Sequence, residues 1–209
     1  NIIYSLLLVV AALFAGCESR LDIAKHGNMG GQDDFYQTDE QTEQAVASMY
    51  SSLKGLYYNW FFTKNLLSDD VWCGGGQRGD NTSLEQLNEY TYGTDNGMIQ
   101  GVFSGLYGLI YQSNLVIEKV ADDTPVKKRA IAEAKFFRAW ANFELVTLWG
   151  TAPLVDHLLE PGEYRQGNST PEALWAAVES DLNDAISMNA LPSKKNKDDQ
   201  ETGMRVTQE

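Results

Sequence analysis

The chain has 209 residues, of which 43% are apolar and 22% charged; those proportions exclude a wholly disordered chain and a multi-span membrane protein. Asp and Glu outnumber Lys and Arg by 29 to 16, a net charge of −13, and so acidic a surface repels phosphate backbones and excludes nucleic acid as a partner. Two Cys and two His build neither a disulfide scaffold nor a His-rich metal site, and no cofactor or metal is expected.

Residues 1–16 carry no charge, and Ile2 to Ala15 is a nearly continuous apolar run. A spanning helix needs about 20 such residues; this run is shorter and stops at Gly16-Cys17-Glu18. A short apolar core followed by small residues is the pattern of a secretory signal, here without the positive segment that normally precedes it. Ala15-Gly16-Cys17 resembles the lipobox of bacterial lipoproteins, with Phe14 where Leu is usual. That resemblance implies cleavage before Cys17 and a lipid on its thiol, each buried CH₂ adding roughly 0.8 kcal/mol of anchoring. Residues 17–37 are polar and rich in Gly and Asp, and read as a tether. With Cys17 acylated, Cys73 stands alone and reads as a small buried hydrophobe.

Thr38 or Asp39 opens a helix that runs to about Tyr58, with Ala45, Met49, Leu53 and Leu56 on one face. Residues 69–97 hold Gly74-Gly75-Gly76, Gly79, Asn81, Gly93 and Asn96-Gly97, which is loop chemistry with a short helix near Leu84–Asn88. Met98 to Val120 is a second long helix, its apolar stripe carried by Val102, Leu106, Leu109, Ile110, Ser113 and Ile117. Thr124-Pro125 restarts the chain as N-cap and first helical residue. The helix that follows, Val126 to Trp149, is apolar on two faces and is therefore packed from two sides; Gly150 ends it. Ser169 with Glu172 has capping-box spacing for a helix to residue 188, whose stripe includes Leu174, Trp175, Val178, Leu182 and Ile186. Residues 193–204 form a charged loop, and Thr207 is placed to cap a further helix, so the chain is expected to continue. No strand-like alternation persists. The fold class is all-α, with irregular tetratricopeptide-like helix hairpins and long inserted loops.

Several segments taken in order resemble the SusD/RagB family, the surface nutrient-binding lipoproteins of Bacteroidetes. They are Ala45-x₃-Met49-Tyr50-x₂-Leu53 before Ser68-Asp69-Asp70, Phe103-x₃-Tyr107-x₂-Ile110-x₃-Asn114, Glu133 to Ala139, Leu145-Val146-x₂-Trp149-Gly150-x₂-Pro153-Leu154, Asp181-Leu182-x₂-Ala185, and Met204 to Thr207. The resemblance makes residues 38–209 the N-terminal helical portion of a longer protein. It implies no catalysis. It implies a protein held at the cell surface by outer-membrane lipid through acylated Cys17. There it covers a TonB-dependent (SusC-like) outer-membrane transporter and delivers an oligosaccharide, or in some branches a peptide.

Sugar binding needs flat apolar faces and planar hydrogen-bonding groups. Tyr50, Phe103, Tyr107, Phe137, Trp140, Phe143 and Trp175 sit at helical spacing and read as core. Trp72, Tyr90 and Tyr92 lie outside the stripes, in a loop shared with Arg78, Asp80 and Asn81, and these six are the candidate ligand-binding residues. Arg138, in a mostly apolar helix, needs a buried partner such as Glu144, Asp69 or Asp70, and Glu133 reads as structural in the same way. Asp69-Asp70 is a poor catalytic pair, because glycosidase carboxyls face each other across a cleft. Two other functions remain: a surface glycoside hydrolase subunit, and a helical scaffold lipoprotein that binds no small ligand.

Overall fold

Thr38 opens the first helix with a full capping box: its hydroxyl accepts from the Gln41 amide, and the Gln41 side chain accepts from the Thr38 amide. The computed structural model describes residues 35–194 and 204–208. The expectations for residues 1–16, Cys17, most of the tether and most of the 193–204 loop fall outside those residues. Five α-helices follow in order among the described residues: α1 Asp39–Leu66, α2 Thr82–Asn88, α3 Gly97–Lys119, α4 Pro125–Trp149 and α5 Pro171–Ser187. The all-α hairpin architecture is as expected, with a single isolated bridge between Ala152 and Ser169.

α1 runs on past Tyr58 to Leu66, because nothing between them breaks a helix and Thr63 and Leu66 are themselves buried. Thr124 caps α4 through the Lys127 amide with Pro125 behind it, and Gly150 ends that helix at φ +72°. Thr124 also donates its hydroxyl proton to Asp39 at 2.6 Å, which joins the starts of α4 and α1. α5 differs from expectation at its start. Thr170, not Ser169, caps it by accepting from the Ala173 amide. The Ser169 amide is engaged instead with the Ala152 carbonyl at 2.9 Å, so Ser169 closes the α4–α5 segment rather than the helix.

The contacts fix the directions. Asn59 meets Gly101 and Leu56 meets Gly105, so α1 and α3 are antiparallel. Arg138 meets Asp181 and Lys135 meets Asp184, so α4 and α5 are antiparallel. α4 is the centre: it packs on α1, α3 and α5. That is why Ala130, Ala132, Ala134, Phe137, Ala141 and Leu145 are all buried along it. α1 and α3 approach so closely that a Cβ on Gly105 would sit 2.8 Å from Leu56 Cδ1.

Of the seven aromatics expected in the core, Phe137 is fully buried, and Tyr50, Tyr107 and Trp140 are half-buried. Phe103, Phe143 and Trp175 are not core; they keep 36%, 37% and 40% of their surface. They lie at the rims of their helices' apolar stripes, where a neighbouring helix covers only part of each ring. Phe143 and Trp175 pack edge-to-face at 5.6 Å between α4 and α5, and Phe103 does the same with Trp149 at 5.3 Å.

Two buried polar clusters join the helices. Arg138 pairs with Asp181, not with Glu144, Asp69 or Asp70. Its Nε and Nη2 each donate to the Asp181 carboxylate at 2.7 Å, and its Nη1 donates to Asn114 Oδ1 and to the Asp156 carbonyl. Glu144 lies on the side of α4 that faces α1, where it takes Lys64 at 3.0 Å. Glu133 is the structural residue expected. It accepts from Tyr50 at 3.1 Å, Arg129 at 2.9 Å and Arg205 at 3.1 Å, which binds the 204–208 stretch to α1 and α4. Burial pushes its carboxyl above the usual range against the pull of both arginines. Burial, with Glu133 beside it, takes the Tyr50 hydroxyl up to about 12.

The α4–α5 segment is pinned to α3. The side chain of Asn114 donates to the His157 carbonyl at 2.8 Å, and the Leu158 amide donates to Glu118 at 2.6 Å. The exposed His157 ring lies between Asp156 at 2.7 Å and Glu163 at 3.1 Å.

Two predictions follow from these clusters. Arg138→Ala leaves Asp181 buried and unpaired and lowers stability by about 3–5 kcal/mol. In urea denaturation the Arg138→Ala/Asp181→Ala double variant loses less than the sum of the singles. Hydrogen bonds donated by the ring to Asp156 first and to Glu163 second hold the His157 pKa above the ordinary histidine value. The charged ring therefore supports the segment below that ordinary value, and the support fades as pH rises through the raised one. An NMR titration of His157 shows an elevated midpoint, and Glu163→Gln lowers it.

Candidate functional site

Between α1 and α3 the chain leaves the helical layer for the segment Leu67 to Asn96, which contains α2. A small apolar cluster of Leu66, Leu84, Leu87 and Met98 lies beneath it, with Phe62 and Cys73 packed against the edge. Cys73 is only half-buried rather than buried as expected: it packs on the edge of the cluster and also lines the cavity above it. Trp72 points the other way and keeps 77% of its surface, so it is not what covers the cluster.

The segment is shaped by side chains that capture its own backbone amides. Asp80 accepts from the Gly76 and Gln77 amides at 2.7 and 3.0 Å. Glu85 accepts from the amide of Gly79, whose φ of +93° suits glycine. Asn88 accepts from the Cys73 amide at 3.0 Å and donates to the Val71 carbonyl at 3.2 Å. Asn81 caps α2 through the Leu84 amide. Asn96 is buried; it caps α3 through Met98 and Ile99 and donates to the Ser83 carbonyl and to Gln86, which fixes α2 against the start of α3. Tyr90, at φ +55°, reaches back to the Leu67 carbonyl at 2.8 Å.

These bonds enclose an open cavity of about 270 Å³, lined among others by Trp72, Gln77, Arg78, Glu85, Asn88 and Glu89. Of the six residues singled out from sequence, Trp72 and Arg78 line it. Asp80 and Asn81 shape the segment around it, Tyr90 ties the segment to the end of α1, and Tyr92 lies outside the lining. Gln77, Glu85, Asn88 and Glu89 were not anticipated; the signal for the last three was their place on the short helix that the glycine-rich loop folds over, or at its C-cap. Arg78 Nη2 meets Glu89 Oε2 at 2.7 Å. The Cys73 thiol is pushed up first by burial and then by the charges of Glu85 and Glu89.

The cavity offers an indole face, amides and carboxylates within one small space, which is the chemistry that recognises polyhydroxylated rings. A second groove, about 320 Å³ between α1 and α4, is lined by Leu53, Tyr57, Trp60, Phe136, Phe137 and Trp140. Its walls are nearly all apolar and leave sugar hydroxyls without partners, so the loop cavity is the better site. Among the described residues no group of three or more His, Cys, Asp or Glu is placed to hold a metal ion, and no helix is long and apolar enough to cross a membrane.

Residues 29–208 match the SusD-like family described as "Starch-binding associating with outer membrane". The chain belongs to the SusD-like family. A SusD-like protein of Bacteroides ovatus is 32% identical over 166 residues, 73% of this chain and 29% of that protein. One from Formosa agariphila is 26% identical over 175 residues, 78% of this chain and 35% of its own length. The chain thus spans about a third of the length of the curated relatives it matches. Among solved structures, a laminarin-binding SusD-like protein superposes with a TM-score of 0.72 at 27% identity, over 83% of this chain and 38% of that one. A surface glycan-binding protein of Bacteroides thetaiotaomicron, solved with laminarihexaose, shares the fold with a TM-score of 0.65 at 21% identity, over 81% of this chain and 36% of that one.

Proposed function

We propose that this chain is the N-terminal portion of a cell-surface SusD-like lipoprotein that captures an oligosaccharide and delivers it to a TonB-dependent, SusC-like outer-membrane transporter. In this reading residues 1–16 are the signal, Cys17 carries the lipid, residues 17–37 are the tether, and residues 38–209 are the helical portion that presents the ligand loop. The protein binds and does not catalyse. The observation that carries the reading is the exposed indole of Trp72 beside the amide- and carboxylate-lined cavity. The resemblance to a laminarin-binding relative supports a glycan cargo. Trp72 is the stacking platform, and Gln77 and Glu89 bond the hydroxyls, with Arg78 holding Glu89 in place and Asn88 shaping the cavity wall. Asp80, Asn81 and Tyr90 act on the ligand by shaping the segment, and Tyr92 sits outside the first contacts.

The test uses the full-length protein and calorimetric titration with neutral hexaoses, laminarihexaose among them. Trp72→Ala weakens binding at least about tenfold, on the order of 1.4 kcal/mol, with an unchanged melting temperature because the ring supports no core. Undiminished affinity in that variant removes Trp72 from the site. Steady release of shorter sugars during the titration supports the hydrolase-subunit alternative instead.

A further inference from the structure

The cation that lines the loop cavity is already engaged. From Asp69 to Asp95 the sequence holds six carboxylates, Asp69, Asp70, Asp80, Glu85, Glu89 and Asp95, and a single cation, Arg78. The Arg78 guanidinium meets the Glu89 carboxylate at 2.7 Å, a short charge-assisted contact. Glu85 and Asp80 hold backbone amides, which uses their lone pairs and leaves their negative charge in place. An incoming uronate or sulfate therefore meets a guanidinium whose charge is already offset by Glu89, while facing Glu85, in a chain whose net charge is −13. An uncharged sugar meets no such barrier. Its hydroxyls donate to the carboxylates and accept from the side-chain amides, and its C–H face lies on Trp72. The rise of the Cys73 thiol caused partly by Glu85 and Glu89 agrees with a negative field in the cavity.

We propose that the Arg78–Glu89 pair is a charge filter that makes this cavity a site for uncharged oligosaccharides and turns away uronic and sulfated ones. The proposal rests on the glycan-binding reading above and adds the class of glycan. It also makes the selectivity depend on salt, because Arg78 is largely solvent-exposed and its surroundings are screened as ionic strength rises.

The experiment takes the full-length protein and a panel of neutral hexaoses of several linkages, each paired with the same oligosaccharide oxidised at its primary hydroxyls to the polyuronate. Affinities are read by calorimetry at low and at high salt. At least one neutral hexaose binds ten times more tightly than its oxidised form at low salt, and the ratio shrinks at high salt. Glu89→Gln, checked for an unchanged thermal melt, frees the guanidinium and moves the ratio at least tenfold toward the oxidised ligand. Equal or tighter binding of an oxidised form by the unaltered protein overturns the filter while leaving glycan binding intact. An unchanged ratio in Glu89→Gln overturns the role of the pair. Failure of every hexaose to bind in either form overturns the glycan reading, and the filter with it.

Discussion

A charged side chain inside a helical layer has to be met on every side, and the packing around Arg138 is arranged to do that. Its three nitrogens reach α5 through Asp181, α3 through Asn114 and the α4–α5 segment through the Asp156 carbonyl. None of those elements shifts without exposing part of the guanidinium to an apolar interior. The site thus fixes the pitch of α5 on α4 and the path of the chain after Gly150. Glu133 does the equivalent work on the opposite face, where Tyr50, Arg129 and Arg205 converge on one carboxylate. α4 thus carries buried charge toward each neighbouring layer, Arg138 toward α3 and α5, Glu133 and Glu144 toward α1.

The Leu67–Asn96 segment follows a different rule. It is built over a small apolar cluster shared with the ends of α1 and α3, and its carboxylates and amides are turned inward onto backbone N–H groups. This leaves the indole of Trp72 and the Arg78–Glu89 pair as the groups presented outward. Preorganisation of this kind lowers the cost of binding at this cavity, because a loop already ordered loses little entropy when it binds.

The helices were legible because their signals are local: Thr38, Thr124 and Gly150 each mark a boundary by chemistry that acts within a turn. The partner of Arg138 was not legible, since Asp181 lies 43 residues away and only the pairing of α4 with α5 brings it close. The exposure of Phe103, Phe143 and Trp175 was hidden for a related reason: a stripe in sequence shows which face is apolar, not how far its neighbour extends over it. In the site, Trp72 stood out as an aromatic without helical spacing. Asp80 and Asn81 stood beside it with the right chemistry for hydroxyls. The same oxygen atoms also capture backbone amides at turns, and only the coordinates distinguish one use from the other.

The close crossing of α1 and α3 at Gly105 holds together the two helices between which the Leu67–Asn96 segment runs. With both ends clamped by the helices, the chain between them is a closed loop whose closure cost rises only with the logarithm of its length, about 0.6 kcal/mol per doubling. Insertions in its turns, away from the Leu84, Leu87 and Asn96 anchors, therefore leave the scaffold nearly untouched. A gene of this type can rewrite a single stretch of surface while its helices stay in place, and the tight glycine contact that looks like a packing detail is what makes that freedom affordable to selection.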